Sequence, residues 1–487
     1  MLAEGRETDP AQVVVDAYRS VDGEVDAELP CVEGRVPHGL SGVLYRNGVG
    51  RLDVHGTPQM HPFDGDGMVS RFDFQGGAVH YRNRWVRTRE FLEEEQAQRM
   101  LYRGFGTNIP GGLRANAFRM RFKNAANTSI VFHGGKLLAL WEAGQPHRLH
   151  PETLETLERH DYEGALSNRE HFLWRILAPE RPFSAHPKIC PITGEMYNFG
   201  LVIGPRIELV VYRISPEGRI MSARRVGLEE PCFMHDFVLT ERFAVFFATP
   251  IKFDLPRALS GVNTPVESIR RDPRRSTQIV LVPREGGEPQ RFEADDGFFL
   301  FHYFNAYESG STIVVDGCRM ADFKGGTIDL RDPSAVRDAM FEPAFPTRWT
   351  VDLGTKKVQA RQLHEMGMEL PRIDERRCTQ MHRVLYATAR THPEGPPLLN
   401  GLARLDPESG QAVVRDLYPD LPGEPVFVPG GPGEDDGWLT SVVYRAETGR
   451  SELWLVEPTS LATVARLELP HHLPPGFHGT WVHREPA

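Results

Sequence analysis

The chain has 487 residues, 40% of them hydrophobic and 25% charged, which excludes a disordered chain and a multi-span membrane protein. Its 56 Lys and Arg stand against 66 Asp and Glu, and the formal charge of −10 argues against a nucleic-acid binder. Five widely spaced cysteines without a CxxC pair exclude a disulfide framework and a zinc knuckle, and point to a reducing compartment. The acidic N-terminus lacks an apolar signal core, and no apolar run approaches the ~20 residues needed to cross a bilayer, so a cytoplasmic protein is expected. From there short apolar runs recur, each closed by Gly, Pro, Asp or Asn. Residues 41–48, 129–144, 207–218, 242–250, 278–287, 312–317, 402–417, 438–458 and 463–470 predict strands rich in Val, Ile, Leu and aromatics. FHGGKLLAL predicts a hairpin through Gly134-Gly135, and VVYRAETGRSELWLV a second one through a short polar loop. Helical patterns are confined to 90–103 and 331–340. Many strands, few helices and no linker predict one large all-β architecture, sandwich or propeller, with residues 1–487 as a single domain. No internal repeat decides between the two.

Four of the 19 histidines sit beside apolar or aromatic residues in strand-like contexts: His186 in FSAHPKICP, His235 in CFMHDFVLT, His302 in FFLFHYFNAYE and His478 in PGFHGTWV. One such histidine is ordinarily a satisfied core residue. Four demand four partners, because an unpaired buried imidazole is costly. Their separations exclude a local motif such as HExxH and suit a metal held by side chains converging from distant strands. Glu142, Glu369 and Glu424 interrupt apolar or Pro-rich stretches in the same manner. Metal-bound histidines commonly donate their second N–H to a carboxylate, a role these three fit. The pattern alone equally allows three separate surface-loop glutamates.

The blocks GLSGVLYRNGVG, HPFDGDGMVSRF, NTSIVFHGGKLLALWEAGQPHRL, FSAHPKICP, GEPVFVP, EDDGWLTSVVY and LPHHLPPGFHGTW resemble the carotenoid cleavage oxygenases, most closely the bacterial apocarotenoid-cleaving branch, along nearly the whole chain. The resemblance implies a seven-bladed β-propeller with a helical dome over one face. It implies an axial non-haem Fe(2+) on His186, His235, His302 and His478, with Glu142, Glu369 and Glu424 behind them. Thr128, 14 residues before Glu142, matches a residue that narrows one open iron position in the family. His61, His471 and His472 read as structural.

Four neutral imidazoles leave the ion its full charge and open positions, a site for O2 beside an electron-rich alkene. The expected reaction splits a C=C bond of an apocarotenoid into two carbonyls, with a retinal-like aldehyde as product. Its partners are a small-molecule polyene and O2; no nucleic acid and no organic cofactor are expected. Cleavage of stilbenes or phenylpropenoids is the alternative of the same class, and retinyl ester isomerohydrolysis one of a different class. Stilbene-cleaving relatives carry Lys where this chain has Trp141, which offers a substrate phenol no cation. Residues 251–261 match a segment that is apolar in membrane-docking relatives. Here Lys252, Asp254 and Arg257 interrupt it, so any membrane contact is expected to be peripheral.

Overall fold

The computed structural model describes residues 9–119, 121–167, 180–203, 207–230, 232–323, 326–339, 342–393 and 398–484. Seven antiparallel sheets form the blades of a β-propeller. From the axis outward, blade I comprises Gly479–His483, Gly42–Arg51, Asp66–Gln75, Ala78–Trp85 and Asp26–Glu28. Blade II comprises Ser129–His133, Lys136–Leu140, His147–Leu149 and Thr156–Arg159, and blade III Lys188–Ile189, Met196–Ile203, Ile207–Ile214 and Ile220–Leu228. Blade IV begins with Cys232–Phe233 and Val238–Leu239 and continues through Phe243–Phe253, Gln278–Pro283 and Gln290–Glu293. Phe299–Ser309, Thr312–Met320, Ala344–Asp352 and Val358–Gln362 make blade V; Met368–Arg372, Leu385–Ala389, Gly401–Leu405 and Ala412–Asp416 make blade VI. Blade VII starts with Leu421–Pro422 and Val426–Pro429 and adds Gly437–Arg445, Arg450–Val456, Thr463–Glu468 and Cys31–Gly34.

Both chain ends close the ring. The strand Gly479–His483 pairs with Gly42–Arg51 as the innermost strand of blade I, in the register Arg46 opposite Gly479. Two N-terminal strands form the outer edges of blades I and VII. A ring sealed by hydrogen bonds at its seam leaves no long unpaired edge between first and last blades. Neighbouring blades are joined by buried apolar clusters, such as Leu281, Val315 and Trp349 between IV and V, and Phe72, Leu453 and Leu455 between VII and I. The alternation that makes each strand amphipathic therefore serves sheet faces packed on both sides, which is why the inner strands read as nearly continuous apolar runs.

The predicted strands are all present. The Gly-Gly hairpin turns between Ser129–His133 and Lys136–Leu140, with Gly134 and Gly135 at φ +56° and +70°, where a side chain would be strained. The helical segments are shorter than expected. Helix Arg89–Ala97 ends where Gln98 turns left-handed and the Glu94 carboxylate accepts from the amides of Leu101 and Tyr102, replacing helical hydrogen bonds. The second spans only Pro333–Asp338, begun by the Asp332 cap and released at Ala339, which is extended; residue 340 lies outside the described residues. Helix Pro10–Ala17, capped by Asp9, packs with Pro333–Asp338 in a cluster that includes Leu330, Leu421 and Phe477. With loops carrying Phe105, Phe122 and Pro265, these helices form the dome over one face of the propeller.

Candidate metal centre

Each blade sends one of the seven predicted side chains to the axis. His478 comes from blade I, Glu142 from II, His186 from III, His235 from IV, His302 from V, Glu369 from VI and Glu424 from VII. All seven stand at breaks in the strand ladders. His186 and His478 immediately precede an innermost strand, and His235 and Glu424 lie in gaps between two short ones. His302 sits where the register slips between Leu300 and Tyr303, and Glu369 where it slips before Arg372, with Leu370 at φ +53°. A regular strand aims its side chains into neighbouring blades. A bulge or a strand end re-aims them, here along the axis.

The four imidazoles converge, with ring nitrogens that all lie within 4.8 Å of one another. The His186 centroid is 4.4 Å from that of His235, 5.1 Å from His302 and 4.5 Å from His478. Three of them face a carboxylate through Nδ1: His235 and Glu142 at 2.6 Å, His302 and Glu369 at 2.6 Å, His478 and Glu424 at 2.9 Å. An ionised carboxylate only accepts, so Nδ1 of His302 and of His478 carries the proton and Nε2 of each keeps its lone pair for the centre, whereas His235 and Glu142 are close without hydrogen-bond geometry. Nε2 of His302 is buried there without a hydrogen-bond partner, and Nε2 of His186 lies 2.9 Å from that of His235. A span of 4.8 Å is about twice a metal–imidazole bond of ~2.1 Å. Converging neutral nitrogens with one orphaned lone pair fit a first-row transition ion.

Burial holds two of the four donors, His186 and His478, neutral. Burial and the three neighbouring imidazoles push His186 well below the ordinary histidine range. Burial lowers His478 to about 4, despite the opposing Glu424 charge. At His302 burial also lowers the pKa, but Glu369 outweighs it and the net shift is upward. For Glu424, burial would raise the pKa; Arg372, His478 and Arg46 together override it and hold the carboxyl well below its usual range.

Sequence reasoning did not find those two arginines. Arg46 Nη1 lies 2.6 Å from Glu424 Oε2 and Arg372 Nη1 3.3 Å from Oε1, while the Gly479 amide donates to Oε2 at 2.9 Å. Arg372 had a signal, since it follows Glu369 within the same MELPRI segment. Arg46 in LYRNG had none. Thr128 precedes the inner strand of blade II; its hydroxyl donates to Asn127 Oδ1 and its carbonyl accepts from the His478 amide at 3.2 Å. The remaining singled-out histidines lie elsewhere. His61 Nδ1 accepts from the Phe63 amide, His471 meets the Tyr81 hydroxyl, and His472 meets the Arg19 carbonyl.

Two cavities meet at the imidazoles. One, of about 670 Å³, lies under the dome and is lined mainly by apolar groups such as Phe63, Trp141, Phe233, Phe301 and Phe477, with Thr128, Glu142 and Glu369 at the histidines. The other, of about 460 Å³, is lined by the charged residues Lys188, Asp236, Arg372, Asp374, Arg376 and Glu424. His302 and His478 border both.

A family model described as retinal pigment epithelial membrane protein matches residues 18–483. The apocarotenoid-15,15′-oxygenase of Synechocystis is 35% identical over 96% of this chain and 95% of its own length. The isoeugenol monooxygenase of Pseudomonas putida is 32% identical over 92% of this chain and 93% of its own. Among solved structures, cobalt-substituted Synechocystis apocarotenoid oxygenase superposes with a TM-score of 0.89 at 34% identity, covering 99% of this chain and all of that one.

Proposed function

The chain belongs to the carotenoid cleavage oxygenase family, the family of retinal pigment epithelial membrane protein, and from that premise we propose an Fe(2+)-dependent dioxygenase that cleaves a C=C bond of an apocarotenoid. The product is a retinal-like aldehyde and a second carbonyl, with both oxygens drawn from O2. The observation that carries this reading is the convergence of four imidazoles at the wall of an apolar cavity.

His186, His235, His302 and His478 would hold the ion. Bound there, Fe(2+) supplies a site where O2 meets an electron-rich alkene. The protein's own contribution is placement. Glu369 and Glu424 fix the imidazole tautomers of His302 and His478 and raise ligand basicity by accepting the Nδ1 protons, and Glu142 places its charge beside His235. Phe63, Phe301 and Phe477 form edge-to-face contacts that build a flat apolar wall beside the histidines, suited to the face of a polyene. That wall excludes water from the reacting bond. Thr128 has its hydroxyl engaged by Asn127, so its methyl is the group available to narrow the approach to the ion.

Identity with an isoeugenol monooxygenase favours a second reading, cleavage of phenylpropenoids. Trp141 argues against it: the indole lines the cavity beside Glu142, where it offers an apolar face and no cation for a phenolate. Incubation of iron-loaded protein with apocarotenals, resveratrol and isoeugenol, followed by mass identification of products, tests the choice. The apocarotenal is expected to be cleaved and the two phenols little or not at all. Resveratrol turned over faster than any apocarotenal would overturn it.

No helix among the described residues is long and apolar enough to cross a membrane. We assign the enzyme to the cytoplasm with peripheral contact to a lipid surface. Leu113, Phe118, Phe253 and Val262 support that contact: all are exposed, on two segments joined by the hydrogen bond from the Phe118 amide to the Leu259 carbonyl.

A further inference from the structure

The wall of the apolar cavity is not uniform. Apart from the histidines, their glutamates and the Trp141 indole, its polar side chains are Thr128, Ser184, Tyr18, Glu342 and Arg390. Thr128 and Ser184 adjoin the imidazoles through the His478 amide and the His235 carbonyl. The other three lie on three separate segments of the wall. Tyr18, at the end of helix Pro10–Ala17, packs among Leu330, Leu398, Leu421 and Phe477. Arg390 donates its Nη2 to the Pro393 carbonyl and adjoins Gly367, which also touches Pro343, next to Glu342. Phe122, Phe199, Leu201 and Pro265 belong to the apolar remainder of the wall.

Tyr18 is the telling member. Its amide closes the helix on the Val14 carbonyl, but its phenolic hydroxyl has no hydrogen bond among the described residues. The residue is half-buried and lines the cavity, so its unpaired hydroxyl is a donor available to a molecule bound there. Burial pushes the phenol up to about 12, so it stays a neutral donor at any physiological pH.

We propose that Tyr18 binds an oxygenated end of the substrate, so that the polyene enters in one direction only, with its oxygen against Tyr18 and its hydrocarbon end against the apolar remainder of the wall. A neutral O–H donor suits an aldehyde or alcohol oxygen. The direction of binding then decides which bond lies over the histidines. This inference rests on the polyene reading of the cavity and deepens it by naming the residue that recognises the chain end.

The test compares wild type and Tyr18→Phe, a change that removes one oxygen and keeps the ring. Two probes are used: an apocarotenal and the hydrocarbon of the same length without the aldehyde oxygen. Dissociation constants come from quenching of tryptophan fluorescence, a readout independent of turnover, and kcat/KM from product formation. Tyr18→Phe is expected to weaken aldehyde binding about three- to tenfold, the worth of one hydrogen bond, and to leave hydrocarbon binding within about twofold. Equal weakening of both probes, or of neither, would overturn the role of Tyr18. Wild type that binds both but cleaves neither would instead sink the cleavage reading, and the binding ratio would still decide the Tyr18 assignment.

Discussion

The two cavities that meet at the histidines are built from opposite materials. The space under the dome is walled by phenylalanines and aliphatic groups; the axial space on the other side is walled by ion pairs, among them Lys188–Asp236 at 2.9 Å and Arg376–Asp374 at 2.8 Å. The glutamates divide along the same line. Glu142 and Glu369 border the apolar side, and the Glu142 side chain is 32% exposed. Glu424 borders the charged side, is 1% exposed, and lies between two guanidiniums. The lesson is that three similar His–Glu pairs do different work. Glu142 and Glu369 stand against His235 and His302 at the edge of the apolar cavity. Glu424 is also the anion that allows Arg46 and Arg372 to be buried where three blades meet.

The largest effect is expected from the histidines themselves. His235→Ala or His302→Ala should abolish both metal binding and turnover. Full iron occupancy in either variant, by metal analysis, would show that the ligand set is wrongly drawn.

The glutamates sharpen the contrast. Glu424→Gln leaves the buried Arg46 guanidinium short of its counter-charge, while half-buried Arg372 keeps Glu375 at 3.0 Å, and should cost about 3–5 kcal/mol of stability in addition to weakening metal binding. Glu369→Gln has no arginine to strand. It should weaken metal affinity by about 10–100-fold while costing under roughly 1 kcal/mol. Denaturant unfolding with metal titration separates the two outcomes, and equal stability losses would erase the distinction between the two sides.

Much of this site could be read in the sequence because it is made of residues whose burial needs an explanation. His186, His235, His302 and His478 stand in apolar strands, and Glu142, Glu369 and Glu424 interrupt apolar or Pro-rich contexts. The strands were legible for the same reason, through turn-bounded runs of Val, Ile and aromatics. Blade number was not, since no repeat marks it, and it entered through family resemblance. Arg372 was signalled only by following Glu369 in MELPRI, and Arg46 and Tyr18 were illegible: arginine and tyrosine are common in surface strands and helices, and only folding shows that 378 residues of chain separate Arg46 from the carboxylate it neutralises. The helix expected over 90–103 failed at a local competition that periodicity does not register, the Glu94 side chain capturing amides beyond the last turn.

A smaller effect is expected from pH, in the metal-free protein. His478 is lowered to about 4 and His186 well below its usual range, so the unfolded chain binds more protons than the folded one as pH falls below about 6.5, and stability drops on acidification. Taken alone, His478 contributes a loss of about 1 kcal/mol between pH 7 and 5.5. His302 has the opposite sign: its raised pKa adds stability at low pH that is lost as pH rises through the folded value. Among the four converging histidines two oppose one, burial lowers His61 to about 3 and His147 to about 4 as well, and removing the Glu369 charge should steepen the acid loss. Glu424, held well below the carboxylate range, keeps its contribution across this window and loses it only at lower pH. Unfolding curves at pH 7, 6.2 and 5.5 for wild type and Glu369→Gln test the signs. A wild type that gains stability on acidification would reverse the account.

The central claim is that a double bond lying on the apolar side of the histidines is cut with oxygen from O2 rather than from water, which the dome excludes. Turnover of an apocarotenal under labelled O2 by the iron-loaded enzyme tests it most directly, with carbonyl exchange measured in parallel. The account predicts label in both carbonyl products. One product that stays unlabelled after correction for exchange would make water an oxygen donor and contradict it.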